Sequence, residues 1–198
     1  MDGFERRRQE KKQAITEAAL ELFNQYGFDK VSVSEIAKKA HVSKVSIYNF
    51  FESKDNLRRE IIKDILNENL DKMMELIATK KHFVDKIHEY LKLRIKFKYS
   101  FQFFFDAIES DPVLKDYFND YTDKNKQLIT SFIEEGKKEG YFDSKISNKA
   151  ILIYIDMFHS YFLNNKTIRN DFENNPALTK EIHMLFLDGL IRNQNKPL

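Results

Sequence analysis

The chain contains no cysteine. That excludes a disulfide framework, a thiolate metal site and a thiol redox switch, and makes a cytoplasmic location the default expectation. Chain breakers are scarce as well: three prolines (112, 176, 197) and five glycines (3, 27, 136, 140, 189) in 198 residues. With no sustained alternation of apolar and polar residues, the expected fold class is all-α. No apolar run reaches about 18 residues, so no transmembrane helix is expected and no membrane partner. The start, MDGFERRRQEKK, lacks the apolar stretch of a signal peptide. The five histidines (41, 82, 88, 159, 183) show no metal-ligand spacing. There is no nucleophile–base arrangement, glycine-rich phosphate loop or pair of catalytic carboxylates, so neither an enzyme nor a cofactor site is expected. Internal repeats that would mark a helical solenoid are missing too.

Nor does one sign of charge dominate: 33 Lys and Arg face 31 Asp and Glu, a net charge of +2. The excess is all N-terminal. Residues 1–60 hold 12 basic and 10 acidic residues, and the remainder holds 21 of each. Arg6, Arg7, Arg8, Lys11 and Lys12 are the densest cluster. They read either as a basic arm toward phosphates or a minor groove, or as the solvated start of the first helix.

What the chain does have is amphipathic helices. The first is expected over about 6–26, with Ile15, Ala18, Ala19, Leu22, Phe23 and Tyr26 at helical spacing and Gly27 as the stop. Ser32 precedes Glu35 by three positions, a capping box that opens a helix from Val33 to about Ala40. Ser43 is an N-cap for the next, in which Ile47, Phe50 and Phe51 face inward while Lys44, Val45, Tyr48 and Asn49 occupy another arc. Ser53 caps a long helix over 54–78. Two short helices joined by a tight turn, backed by a third, are what places one helix in a DNA major groove. Further helices are expected at 82–99, 101–109, 112–121, 123–139, 147–164 and 177–193, with Pro112 in a first turn. Gly136 and Gly140 bracket a helix end, after which Tyr141 and Phe142 fold back on the core.

Base-edge chemistry assigns tasks to the exposed arc. Lys44 suits guanine O6 and N7, Asn49 suits adenine, and Val45 suits a thymine methyl; Ser43 and Ser46 are short enough for bases or phosphates.

The residues Ala18-Ala19-x-x-Leu22-Phe23, Gly27-Phe28, Ile36-Ala37, Val42-Ser43-Lys44, Ile47-Tyr48-x-x-Phe51 and Ser53-Lys54-x-x-Leu57 resemble the N-terminal domain of the TetR family of bacterial transcriptional regulators. The resemblance covers about residues 10–60 closely and the rest only as architecture. The chain departs from the family in having His41 where the inter-helix turn usually has glycine, Val45 where a small residue is common, and Phe50 where histidine is common. The resemblance implies phosphate contacts from Ser32, Tyr48 and Lys54. It implies a three-helix DNA-binding domain over 1–53 and a larger helical ligand-binding and dimerisation domain over 54–198. It also implies a homodimer on a double-stranded operator, a repressor's action, and a small-molecule effector; the alternative is a DNA-binding dimer governed by a protein partner or acting architecturally.

In the larger part, AILIYIDMFHSYFL is apolar nearly all round and the last helix carries one apolar stripe. The resemblance places the subunit interface there, on Ile155, Phe158, Phe162, Ile182, Leu185, Phe186 and Leu190. Thirteen of the 18 phenylalanines lie beyond residue 80, enough for a core and for a pocket that takes an apolar or aromatic ligand. The pocket candidates are Phe101, Phe104, Phe105, Asp106, Tyr117, Phe118, Phe132, Asp156 and His159.

Overall fold

A computed structural model describes residues 3–101, 105–164 and 175–190. Nine helices and no strand occur among the described residues: α1 Gly3–Tyr26, α2 Val33–Lys39, α3 Lys44–Phe51, α4 Lys54–Ala78, α5 Phe83–Phe101, α6 Phe105–Ser110, α7 Pro112–Lys138, α8 Asn148–Asn164 and α9 Pro176–Leu190. They divide into two compact units. One comprises residues 1–68 and 100–121, the other 69–99 and 122–198.

In the first unit α1 packs on α2 and α2 on α3. Ile15, Ala19, Phe23, Ile36, Ile47, Leu57, Ile62 and Leu66 are all buried to 1% exposure or less, whereas Tyr26, at the same helical spacing, is exposed and Phe50 is half-buried. Asp111, buried, links α4 to the start of α7. Its carboxylate accepts from the Val113 and Leu114 N–H groups at 3.0 and 3.4 Å, capping α7 ahead of the Pro112 turn, and from Arg59 Nε of α4 at 2.6 Å. Burial pushes this carboxyl up, but the Arg59 hydrogen bond, the two N–H groups and the Arg59 charge together bring it below the usual range.

The second unit's core draws Met73 and Leu76 from α4, Phe83, Ile87, Tyr90 and Leu91 from α5, Ile129, Phe132 and Ile133 from α7, Phe142 from the segment after it, Ile151 and Ile155 from α8, and Phe186 from α9. One cation is buried beside it. Lys86 Nζ donates to Glu135 at 2.6 Å and to the Ile77 carbonyl at 3.0 Å, joining α5, α7 and the end of α4.

One expected helix boundary is corrected. The stretches 112–121 and 123–139 form one helix, because the polar run between them contains no glycine or proline and continues the exposed face. Gly136 lies in the last turn of that helix and, with Gly140, brackets its end at Lys138, as the sequence suggests. A Cβ there would run into the Phe83 ring and come within 2.7 Å of Phe142 Cδ2. The glycine is thus a notch for two aromatic rings; Gly140, at φ 81°, makes the turn. Gly136→Ala is expected to lose about 2 kcal/mol by overpacking, despite alanine's better helix propensity. Thermal melting checks this, and an unchanged midpoint would show that the rings yield freely.

Candidate nucleic-acid interface

The two short helices are held by side-chain caps. Ser32 Oγ accepts from the Glu35 N–H at 3.2 Å, while Glu35 Oε2 accepts from the Ser32 N–H at 2.8 Å and the Ser32 hydroxyl at 2.7 Å. The Ser32 hydroxyl and then its N–H hold the Glu35 carboxyl below its ordinary value. The start of α2 therefore already carries its own carboxylate. For Ser32 to donate to a phosphate, Glu35 must first turn away.

The turn follows from Ala40 through His41, which adopts φ 54°. Histidine tolerates this left-handed conformation at modest cost where glycine would be unstrained. The Val42 N–H donates to the Ala37 carbonyl at 3.0 Å and closes the turn. Ser43 then caps α3: its Oγ accepts from the Ser46 N–H at 3.1 Å and lies 2.9 Å from the Ser46 hydroxyl. These two serines fix the angle at which α3 leaves the turn.

On α3, Ile47 and Phe51 are buried, whereas Lys44, Val45, Tyr48 and Asn49 are exposed, Val45 to 65% and Tyr48 to 50%. Residues i, i+1, i+4 and i+5 share one arc of a helix. The helix thus shows solvent a long cation, a methyl-bearing side chain, a phenol and an amide. Nothing in the first unit's core depends on them.

The basic cluster is helical from Gly3 onward. The Arg8 guanidinium lies 5.5 Å from the Phe50 ring, and Lys12 Nζ lies 5.7 Å from the Phe51 ring and 3.4 Å from Glu60. These cations brace the back of α3; Arg7 and Lys11 remain exposed. Lys54 is placed similarly. Its ammonium donates to the Phe28 and Val31 carbonyls at 2.9 and 3.0 Å and sits 4.1 Å from the Phe28 ring, whose surroundings also include Arg58 at 3.8 Å. Lys54 holds the α1–α2 loop, and its third donor is the one left for a phosphate.

Glu52 was not singled out in the sequence. It ends α3 at φ 65°, ψ −40°, and the Ser53 N–H donates to the Phe51 carbonyl at 2.7 Å, which makes a strained three-residue turn. No local signal marks a glutamate for positive φ; only the closeness of the Ser43 and Ser53 caps hints that the chain must reverse sharply. Glu52→Gly is expected to gain about 1 kcal/mol, raising the melting midpoint by about 3 °C. A fall would mean that the Glu52 contact to Asn56 at 3.3 Å outweighs the strain.

The expected pocket residues fall in different units. Tyr117 donates to Asn67 Oδ1 at 2.6 Å and Phe118 stacks on Tyr121 at 5.8 Å, both in the first unit. Phe132 belongs to the second unit's core, and Asp156 is paired there with Arg94 at 2.8 Å. Of the residues expected at a subunit interface, Ile155 and Phe186 are buried in the protomer's own core, Ile182 is half-buried, and Leu185 is 72% exposed. Phe104 lies outside the described residues, as do the side chains of Phe101, Phe105, Asp106, Phe158, His159, Phe162 and Leu190.

Residues 15–61 match the family described as "Bacterial regulatory proteins, tetR family". The chain is 32% identical over 93 residues to the uncharacterised HTH-type transcriptional regulator YhgD of Bacillus subtilis (strain 168), covering 47% of this chain and 49% of that one. It is 29% identical over 138 residues to the HTH-type transcriptional regulator RutR of Escherichia coli (strain K12), covering 64% of each. The chain therefore spans about half the length of YhgD and just under two thirds of that of RutR. Its fold is similar to that of the transcriptional regulator FadR from Bacillus subtilis in complex with stearoyl-CoA, with a TM-score of 0.63 at 19% identity over 90% of this chain and 98% of that one.

Proposed function

We propose that the protein, whose residues 15–61 match the tetR family of bacterial regulatory proteins, is a homodimeric transcriptional repressor. In this reading residues 1–53 form the reading head and 54–198 the regulatory and dimerisation domain. Two copies of α3 enter successive major grooves of a palindromic operator, and a small apolar or aromatic ligand releases them. The observation that carries the reading is the solvent-facing arc of α3. Lys44, Val45, Tyr48 and Asn49 are exposed on a helix whose opposite side is anchored by Ile47 and Phe51. That is the division of labour a major-groove reader needs.

Phosphate contacts from Tyr48 and from the remaining Lys54 donor would set the register, and Lys44, Val45 and Asn49 would read bases. One head's few base contacts cannot single out a genomic site; doubling them on a palindrome can. A pairing face is available for the doubling. Ile153 and Met157 of α8 and Met184 and Leu185 of α9 are 49, 67, 55 and 72% exposed, and α8 packs on α9. Large apolar side chains grouped on two adjoining helices favour a protein partner over water. Ile155 and Phe186 would form the wall behind that face.

Release by a ligand fits the continuous helices. α4 begins directly after the reading helix, and Arg59 ties it to the α7 cap at Asp111. A shift of α4 or α7 would change the spacing of the two heads, and a misplacement of a few Å is enough to prevent simultaneous docking. FadR was solved with stearoyl-CoA, which supports a ligand-responsive reading for this fold. Sedimentation of the protein with and without a bound duplex tests the assembly. Two chains per duplex is the expected result; one chain per duplex would refute the dimeric reader.

A further inference from the structure

Tyr90, in the middle of α5, is 3% exposed in the second unit's core, with its ring 5.4 Å from Phe132. Its hydroxyl is buried and no acceptor takes its proton. A buried phenol normally finds an acceptor for its proton, and leaving one without is costly. One turn further along the same helix, Arg94 lies with its guanidinium 5.9 Å from the Tyr90 ring. Arg94 is paired with Asp156 of α8 at 2.8 Å; its side chain is 28% exposed and that of Asp156 is 61% exposed. An interior donor lacking an acceptor is thus followed by a cation whose counter-ion faces solvent.

These observations define what would complete the site. It needs an acceptor that reaches the Tyr90 hydroxyl and lies on Arg94. Asp156 already neutralises Arg94, so an incoming anion must displace it. The acceptor's immediate surroundings are Phe132 and the other apolar side chains of this core, so what it is attached to must tolerate leaving water, which means hydrocarbon. We propose that Tyr90 and Arg94 form the headgroup site for an anionic effector with an apolar body, a carboxylate or phosphate monoester, which takes Arg94 from Asp156. The proposal rests on the ligand-responsive reading above and adds the ligand's chemical class. Burial pushes the Tyr90 phenol above its ordinary value, against the pull of Arg94. Displaced Asp156 stands beside Met157 and one turn from Ile153, both exposed. Freeing its charge there would alter the face proposed for subunit pairing.

The test is calorimetric titration of the full chain with decanoate, decyl phosphate and the uncharged methyl decanoate. Saturable binding of one anion per protomer is expected, with the ester at least about tenfold weaker, as for loss of a charge-assisted contact. The two anions separate carboxylate from phosphate as the preferred headgroup. Arg94→Met should weaken anion binding by about tenfold or more, and Asp156→Asn should strengthen it by removing the competitor. Tyr90→Phe should weaken binding while leaving the ligand-free protein as stable or more stable, because it removes a buried donor without an acceptor. That opposite movement of binding and stability is not what a merely structural tyrosine gives. No saturable anion binding, equal affinity for the ester, undiminished binding by Arg94→Met, or a clear loss of stability in Tyr90→Phe would each overturn the site. Duplex binding is measured in parallel. A protein that binds DNA but ignores anions sinks this site and leaves the regulator standing. One that binds anions at Arg94 but no duplex keeps the site and sinks the regulator.

Discussion

Replacing Asn49 and Tyr48 together by alanine should reduce operator affinity by about a thousandfold, while the protein remains folded and dimeric. The size follows from counting. A bidentate amide–adenine contact is worth about 1–3 kcal/mol, and a symmetric dimer loses it twice. A total near 4 kcal/mol, to which the lost Tyr48 phosphate contacts add, corresponds to roughly three powers of ten. The fold should survive because Asn49 is exposed and Tyr48 is half exposed, whereas Ile47 and Phe51 hold α3 in place. The two single variants should differ in kind. Asn49→Ala should lose discrimination at one base of each half-site, and Tyr48→Ala should weaken all sequences alike. Binding titrations on operator and scrambled duplexes at fixed salt distinguish these patterns. If the double variant binds undiminished, α3 is not the reading helix.

The second large effect concerns stability. Glu135→Ala should destabilise the protein by about 3 kcal/mol, because it leaves a buried ammonium without its counter-ion. Lys86 is 4% exposed as a side chain and Glu135 is 27% exposed. The Ile77 carbonyl would be its one remaining partner among the contacts described above. Water entering beside the more exposed Glu135 position keeps the loss at the lower end of the range for broken buried pairs. For a chain of this size the midpoint should fall by about 9 °C. A Lys86→Met, Glu135→Leu pair should recover most of the loss, since an apolar replacement requires no desolvation of charge. A midpoint unchanged in Glu135→Ala would show that the ammonium finds solvent unaided.

The parts of this molecule legible in the sequence are those decided by near neighbours. Ser32 and Glu35, three positions apart, make their capping box whatever lies elsewhere. Ser43 caps α3 for the same local reason, and helical spacing separates Ile47 and Phe51 from the exposed arc. His41 stood out as an unusual occupant of a turn, and it has the positive φ such a turn demands. What stayed hidden depends on residues far apart in the chain. Gly136 reads as a breaker until Phe83 and Phe142 are seen to occupy the space of its missing side chain. Lys86 reads as one more solvated cation until Glu135 is found beside it. Asp156 stands out as an acid among aromatics, but its partner Arg94 lies 62 positions earlier. The excess of aromatics could not be sorted into two units. Tyr117 and Phe118 went to one and Phe132 to the other because α7 runs through both.

The central claim is that a pair of α3 helices reads a palindrome through the Lys44–Asn49 arc. Selection of bound duplexes from a random pool, at one stated salt concentration, tests it most directly, with the Asn49→Ala protein selected alongside. The expected result is an enriched palindrome with half-site centres about one helical turn apart, and, in the variant, relaxed preference at one symmetric pair of positions. Enrichment of an asymmetric single site, or an identical motif from the variant, would contradict it.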